Sequence, residues 1–213
     1  MSTTNIVRNH VRIYLMEEIK RGKIRIGQAL NLAELARELK VSVTPVREAL
    51  SQLELTGIIK AVPNKGFVIP ELSFAEAKDL YETIAQVQII ALESTPFDAD
   101  TIRELRKEQK QLQQTHTPNA RLKSRINLHH LLTKNCPNKI LVNFIRNLEG
   151  RILFYEQMYL TDASFYELID NQNDGIIDAI EEDNLPTAAL ILKLNWLTIL
   201  DHIQKKMQQP QVI

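Results

Sequence analysis

Apolar positions along the chain keep two rhythms. From Ile6 to Lys20, Ile6, Val7, Val11, Tyr14, Leu15 and Ile19 recur at helical spacing, with Asn5 as the predicted cap and Gly22 as the predicted stop. Asn31, with Glu34 three positions on, has the pattern of a second helix start, and Leu32, Leu35, Ala36 and Leu39 supply its buried stripe. Leu39 to Thr44 leaves room only for a tight turn, so two helices meet there at an angle. Thr44 is the predicted cap of the next helix and Pro45 its first residue, with φ already near the helical value; Val46, Ala49, Leu50 and Leu53 then form one apolar face. Beyond Gly57, two short apolar runs, Ile58 to Val62 and Phe67 to Ile69, flank Asn64-Lys65-Gly66. That spacing predicts a hairpin with a cationic tip.

After Pro70-Glu71-Leu72-Ser73 the strand pattern disappears. The rest reads as about six helices, broken at Pro96, Pro118, Pro137, Thr161-Asp162 and Pro186. Ser73 is the predicted first cap, and Asp98, Asn138, Asp162 and Asn184 lie near later starts. Phe74, Ala77, Leu80, Tyr81 and Ile84 line the first helix, Tyr155, Met158 and Tyr159 add bulk to a middle one, and Trp196, Leu197, Leu200 and Ile203 carry the last. Lys107 to Gln114 reads as a solvated polar face. Long helices joined by short turns predict an antiparallel bundle. The fold expectation is mainly α: a winged helix-turn-helix domain over residues 1–70, then an antiparallel all-helical bundle over 71–213.

Charge sharpens that division. The whole chain is neutral, with 26 basic and 26 acidic residues, but residues 1–70 hold 11 Lys/Arg against 6 Asp/Glu and residues 71–213 hold 15 against 20. The basic half is the one with the helix-turn-helix pattern, as a polyanion-binding module should be. Arg47 and Ser51 point away from the apolar face, Arg47 near the helix N-terminus, where donors and the helix dipole suit phosphate oxygens and the acceptor edge of guanine. Cys136 is the only cysteine, which rules out an intramolecular disulfide and a multi-thiolate zinc site within one chain. No apolar stretch approaches the roughly 20 residues that span a bilayer, so a cytoplasmic protein with no membrane partner is expected.

Val41, Ser42, Thr44, Pro45, Val46, Arg47, Glu48, Ala49 and Leu50 match nine positions of a V-S-R-T-P-V-R-E-A-L signature. On these residues, 6–70 resembles the winged helix-turn-helix domain of GntR-family bacterial transcription regulators. The resemblance implies DNA contacts from Ser42, Val43, Thr44 and Arg47 on the helix and from Asn64, Lys65 and Gly66 on the wing. Val43 departs from the family, which has Arg there, commonly as a DNA contact. Operator sequence or binding strength should therefore differ from the family norm.

The bundle resembles the ligand-binding FCD domain of the FadR-like branch, in its six-helix version. Many members of that branch hold a divalent metal with an Asp, a His four residues later, and two His from the last two helices. Those positions fall here on Arg125, His129, Asn173 and Asn195. One ligand of four remains, and a guanidinium faces where a cation would sit, so no metal or other cofactor is expected. Arg125 offers a fork of donors to a carboxylate, and His129, Asn173 and Asn195 suit hydroxyl, carbonyl or carboxylate oxygens. Two readings follow: Arg125 takes over the metal's charge and binds a small anionic metabolite directly, or it pairs with a Glu or Asp of a neighbouring helix while the two Asn cross-link helices.

The expected function is that of a homodimeric, sequence-specific regulator, most often a repressor in this family, bound to a palindromic operator on double-stranded DNA and controlled by a small organic acid. The expected pivot for that control lies near Pro70 to Ser73. The alternative is a constitutive or architectural DNA-binding protein whose bundle only dimerises. No Gly-rich phosphate loop, His-Glu-x-x-His pair or Gly-x-Ser-x-Gly elbow is present, so catalysis is not expected.

Overall fold

A computed structural model of the chain describes residues 3–20, 24, 27–55, 57–160 and 163–208, with the backbone alone at 3–5, 12, 16, 19, 20, 163 and 164. Gly22, Thr161 and Asp162, assigned above to breaks and a cap, lie outside the described residues. Contacts divide the chain into two units, Met1–Ser73 with Glu149–Phe154, and Phe74–Leu148 with Tyr155–Ile213.

The first unit holds three helices, α1 (Thr3–Lys20), α2 (Leu32–Glu38) and α3 (Val43–Glu54), then a two-stranded sheet of β1 (Lys60–Val62) and β2 (Gly66–Val68). α1 begins at Thr3, so Asn5 lies inside the helix rather than capping it. Val11 and Leu15 are fully buried, whereas Ile6 is exposed, because the inward face of α1 is set by its packing on α3. Asn31 caps α2 as expected, its side-chain oxygen accepting from the backbone N–H of Ala33 and Glu34. Lys40 takes a left-handed backbone (φ 54°) in the turn between α2 and α3.

α3 corrects one expectation. Ser42, with extended backbone, is the N-cap, and Val43 and Thr44 are already helical, so Thr44 is not the cap and Pro45 is the third helical residue. The physical reason is that no N–H of the first turn has an intrahelical partner, so Pro is tolerated there as well as at the first position. Val46, Ala49, Leu50 and Leu53 are buried. Gly57 (φ +71°) turns the chain into β1, and the Glu54 carboxylate accepts from the Ala61 N–H at 2.7 Å, tying the end of α3 to the hairpin. β1 and β2 pair antiparallel with Lys60 opposite Val68 and Val62 opposite Gly66. Gly66 thus belongs to the strand and not to the turn. Asn64 (φ 64°) and Gly66 (φ 76°) both take left-handed backbone at the end of the hairpin.

Six further helices follow among the described residues: α4 (Phe74–Glu93), α5 (Ala99–Gln113), α6 (Pro118–Leu131), α7 (Lys139–Tyr159), α8 (Ala163–Glu181) and α9 (Leu185–Gln208), all in the second unit except the Glu149–Phe154 stretch of α7, which belongs to the first. Asp98, Asn138 and Asn184 each accept from a backbone N–H three residues on, at the starts of α5, α7 and α9. α4 and α8 pack on α9, and α5 packs on α6 and α8. The polar run Lys107 to Gln114 is not wholly solvated: Gln109 is 2 % exposed and donates to the Asp170 carbonyl at 2.9 Å, and Leu112 is buried. The Gln109 Nε2 bond offsets part of the cost of drawing this amide inside, which a hydropathy pattern does not reveal. No described helix is long and apolar enough to cross a membrane.

Candidate functional site

Two groups of residues carry the chemistry expected above, one in each unit. In the first, the buried stripe of α3 turns its other face outward, and Ser42, Val43, Thr44, Arg47, Glu48 and Ser51 are exposed. No side-chain bond to the helix occupies Ser42. Val43 and Arg47 stand one turn apart on this face. Asn64, Lys65 and Gly66 are exposed at the wing tip. Helix N-terminus and cationic tip are the parts such a domain presents to a duplex: N–H groups and a positive dipole end for phosphate, side chains on the leading turns for base edges.

In the second unit Arg125, His129, Asn173 and Asn195 are all inside, between 0 and 5 % exposed. Arg125 and His129 lie one turn apart on α6, and both meet the indole of Trp196 on α9. The Arg125 guanidinium carbon is 4.5 Å from the ring centroid, and the imidazole centroid lies 4.5 Å from it. Asn195, next to Trp196 in α9, donates to Asn173 Oδ1 of α8 at 3.3 Å. The four residues therefore form two pairs that share the 195–196 stretch of α9.

Sequence reasoning missed three members. Glu156 of α7, fully buried, accepts from Arg125 Nη1 through both oxygens at 2.6 and 2.8 Å. The neighbouring-helix partner considered for Arg125 is thus in place. Tyr81 of α4 donates to Glu156 at 3.4 Å. Burial pushes the Glu156 carboxyl up even though Arg125 and Tyr81 pull it down, and burial beside that carboxylate pushes the Tyr81 phenol well above its usual range.

The third is Gln88 of α4, which sets the state of His129. The Trp196 indole N–H can only donate, and it lies 2.7 Å from Gln88 Oε1, so that atom is the amide's acceptor. Gln88 Nε2 correspondingly donates to the His129 carbonyl at 3.2 Å. His129 Nδ1, 2.9 Å from the same Oε1, must then carry a proton and donate it. Burial, then the charge of Arg125 and of His130, hold the His129 pKa well below its usual value. The ring is neutral, and Nε2 presents a lone pair.

That lone pair has no partner among the described residues, nor have Arg125 Nε and Nη2, Asn173 Nδ2 or Asn195 Oδ1. Each such atom costs about 1–3 kcal/mol unless something occupies it, and this cluster brings five of them together. The set does not suit a divalent cation. One imidazole is accompanied by a guanidinium and two amides, and the carboxylate within reach is already held by Arg125.

The profile for bacterial regulatory proteins of the gntR family matches residues 8–69, and that for the FCD domain matches residues 83–195. The chain belongs to the GntR family. Its relatives include YdhC, an HTH-type transcriptional regulator of Bacillus subtilis, 25% identical over 204 residues, covering 92% of this chain and 90% of YdhC. The Nta operon transcriptional regulator of Aminobacter aminovorans is 32% identical over 135 residues, 61% of this chain and 64% of that protein. The solved structure of McbR/YncC from E. coli superposes with a TM-score of 0.74 at 20% identity, covering 98% of this chain and all of that one, which shows a shared fold. This GntR chain therefore combines a helix-turn-helix DNA-binding domain with an FCD domain, in a family of transcription regulators.

Proposed function

We propose that this GntR regulator is a homodimeric repressor that binds a palindromic operator and releases it when a small organic acid occupies the cluster around Arg125 and His129. The observation that carries the effector part is the set of open buried atoms. Arg125 Nε and Nη2 and Asn173 Nδ2 are donors, and His129 Nε2 and Asn195 Oδ1 are acceptors. A carboxylate answers the first group and a hydroxyl or amine on the same molecule answers the second. Because Glu156 already neutralises Arg125, a bare carboxylate is attracted less than one with such a donor beside it.

For DNA, α3 supplies Ser42, Val43, Thr44 and Arg47, and the wing supplies Asn64, Lys65 and Gly66. One short helix and one wing bury little surface, so two copies on a symmetric site provide the affinity. Leu190 and Leu194, one turn apart on α9 and 68 and 53 % exposed, support a second copy as the bundle's partner. Coupling between effector and operator of roughly 1–3 kcal/mol would suffice.

A constitutive DNA-binding protein is the second reading, favoured by the Arg125–Glu156 pair and the Asn173–Asn195 bond, which tie helices together without a ligand. Two experiments separate them. Selection of duplexes from a random-sequence library, followed by titration at several salt concentrations, should return one short palindrome bound far more tightly than random DNA. A thermal-shift series of hydroxy, amino and unsubstituted carboxylic acids should raise the Tm with the first two. Salt-sensitive binding without a preferred sequence, together with no thermal shift, would support the constitutive reading.

A further inference from the structure

The exposed face of α3 is a row of hydrogen-bonding side chains with one exception. Val43 opens the helix, one turn before Arg47, and its isopropyl group is 38 % exposed, whereas the other valine of α3, Val46, is fully buried. Around it Ser42, Thr44, Arg47 and Ser51 are exposed and polar. An apolar group held in water on the leading turn gains nothing from a phosphate or from the donor and acceptor atoms of a base. The apolar feature that the major groove offers is the C5-methyl of thymine. Valine is also suited to that contact, because a β-branched side chain in a helix keeps essentially one rotamer and loses little freedom on docking.

Resting on the reading of α3 as the recognition helix, we infer that Val43 determines specificity by packing on a thymine methyl, so that each operator half-site carries an A·T pair at the position it meets. Arg47, one turn further on, then supplies the polar contact beside it.

The test uses the full-length protein and the duplex selected from the random library, resynthesised with deoxyuridine in place of each thymidine in turn, which removes the methyl and leaves the pairing intact. One thymine per half-site should be methyl-sensitive, with binding weakened about three- to fivefold, the size expected for burying one methyl group. Val43→Ala should bind the parent duplex more weakly and no longer distinguish thymidine from deoxyuridine there. Val43→Arg, put through the same selection, should return a G·C pair at that position. The inference is overturned if no thymine is methyl-sensitive, if Val43→Ala keeps the parent's discrimination, or if Val43→Arg selects the parent sequence. Failure to select any sequence would overturn the recognition-helix reading instead, so the two failures are distinct.

Discussion

At the scale of single residues, the bundle's chemistry depends on which atoms are already bonded. Gln88→Leu removes the acceptor for both Trp196 Nε1 and His129 Nδ1. In nitrogen-detected NMR the parent should show His129 as the Nδ1–H tautomer, and the variant should show a mixture or the other tautomer; an unchanged pattern would sink the lock. The neutral ring also makes stability depend on pH. Its folded pKa lies below its unfolded value of 6.5, so its contribution is intact above pH 6.5 and is lost as pH falls toward the folded value. Between pH 6.5 and 5.5 the unfolding free energy of the parent should fall by about 1 kcal/mol more than that of His129→Gln, measured by denaturant titration. Arg125→Ala leaves Glu156 buried and unpaired, which should cost about 3–5 kcal/mol, whereas Arg125→Met with Glu156→Leu should recover most of it. Arg125 and His129 were legible because they occupy recognisable positions of a family pattern. Glu156 and Gln88 were not, since they lie 31 and 41 positions from their partners along the chain and no spacing rule links them.

At the scale of elements, periodicity was informative wherever an apolar stripe had one packing partner. Val46, Ala49, Leu50 and Leu53 were assigned inward and are inward, and Asn31, Asp98, Asn138 and Asn184 cap the helices they precede. The misses occur at ends. Ser42 precedes the first helical residue of α3 because a helix start is set by where the chain enters its packing, and Pro45 is compatible with several positions of the first turn. Ile6 is helical yet exposed, since helical spacing marks a face without saying how far along that face the neighbouring element reaches. The two-residue shift at α3 matters for DNA binding because it brings Val43 onto the leading turn. Arg47, exposed on the same face, should be dispensable for folding. Arg47→Ala should weaken operator binding by about 10- to 100-fold and leave the circular dichroism spectrum unchanged. If Arg47 meets phosphate, the slope of log K against log salt should also become shallower by about 1. Unchanged affinity would reject this docking of α3.

At the scale of the whole molecule, composition concealed what the division into domains explains: a neutral chain joins a basic DNA-binding half to an acidic bundle. The two-fold symmetry proposed for the assembly bears on how DNA is read. A monomer has one recognition helix and one wing; a two-fold dimer reads two half-sites, and its affinity depends on protomer concentration. Leu190 and Leu194 project from α9 away from the buried Ala188, Leu192, Asn195 and Trp196, so charges placed there should leave the monomer folded. Sedimentation of Leu190→Glu/Leu194→Glu should report a monomer where the parent reports a dimer. The variant should also lose the tight binding to a full palindrome while keeping the parent's weaker affinity for an isolated half-site. A variant that sediments as the parent does would place the partner surface elsewhere on the bundle, with Ile140 and Phe144 of α7, 85 and 45 % exposed, the next pair to charge. A variant that is monomeric yet still binds the palindrome as tightly would show that a single recognition helix suffices.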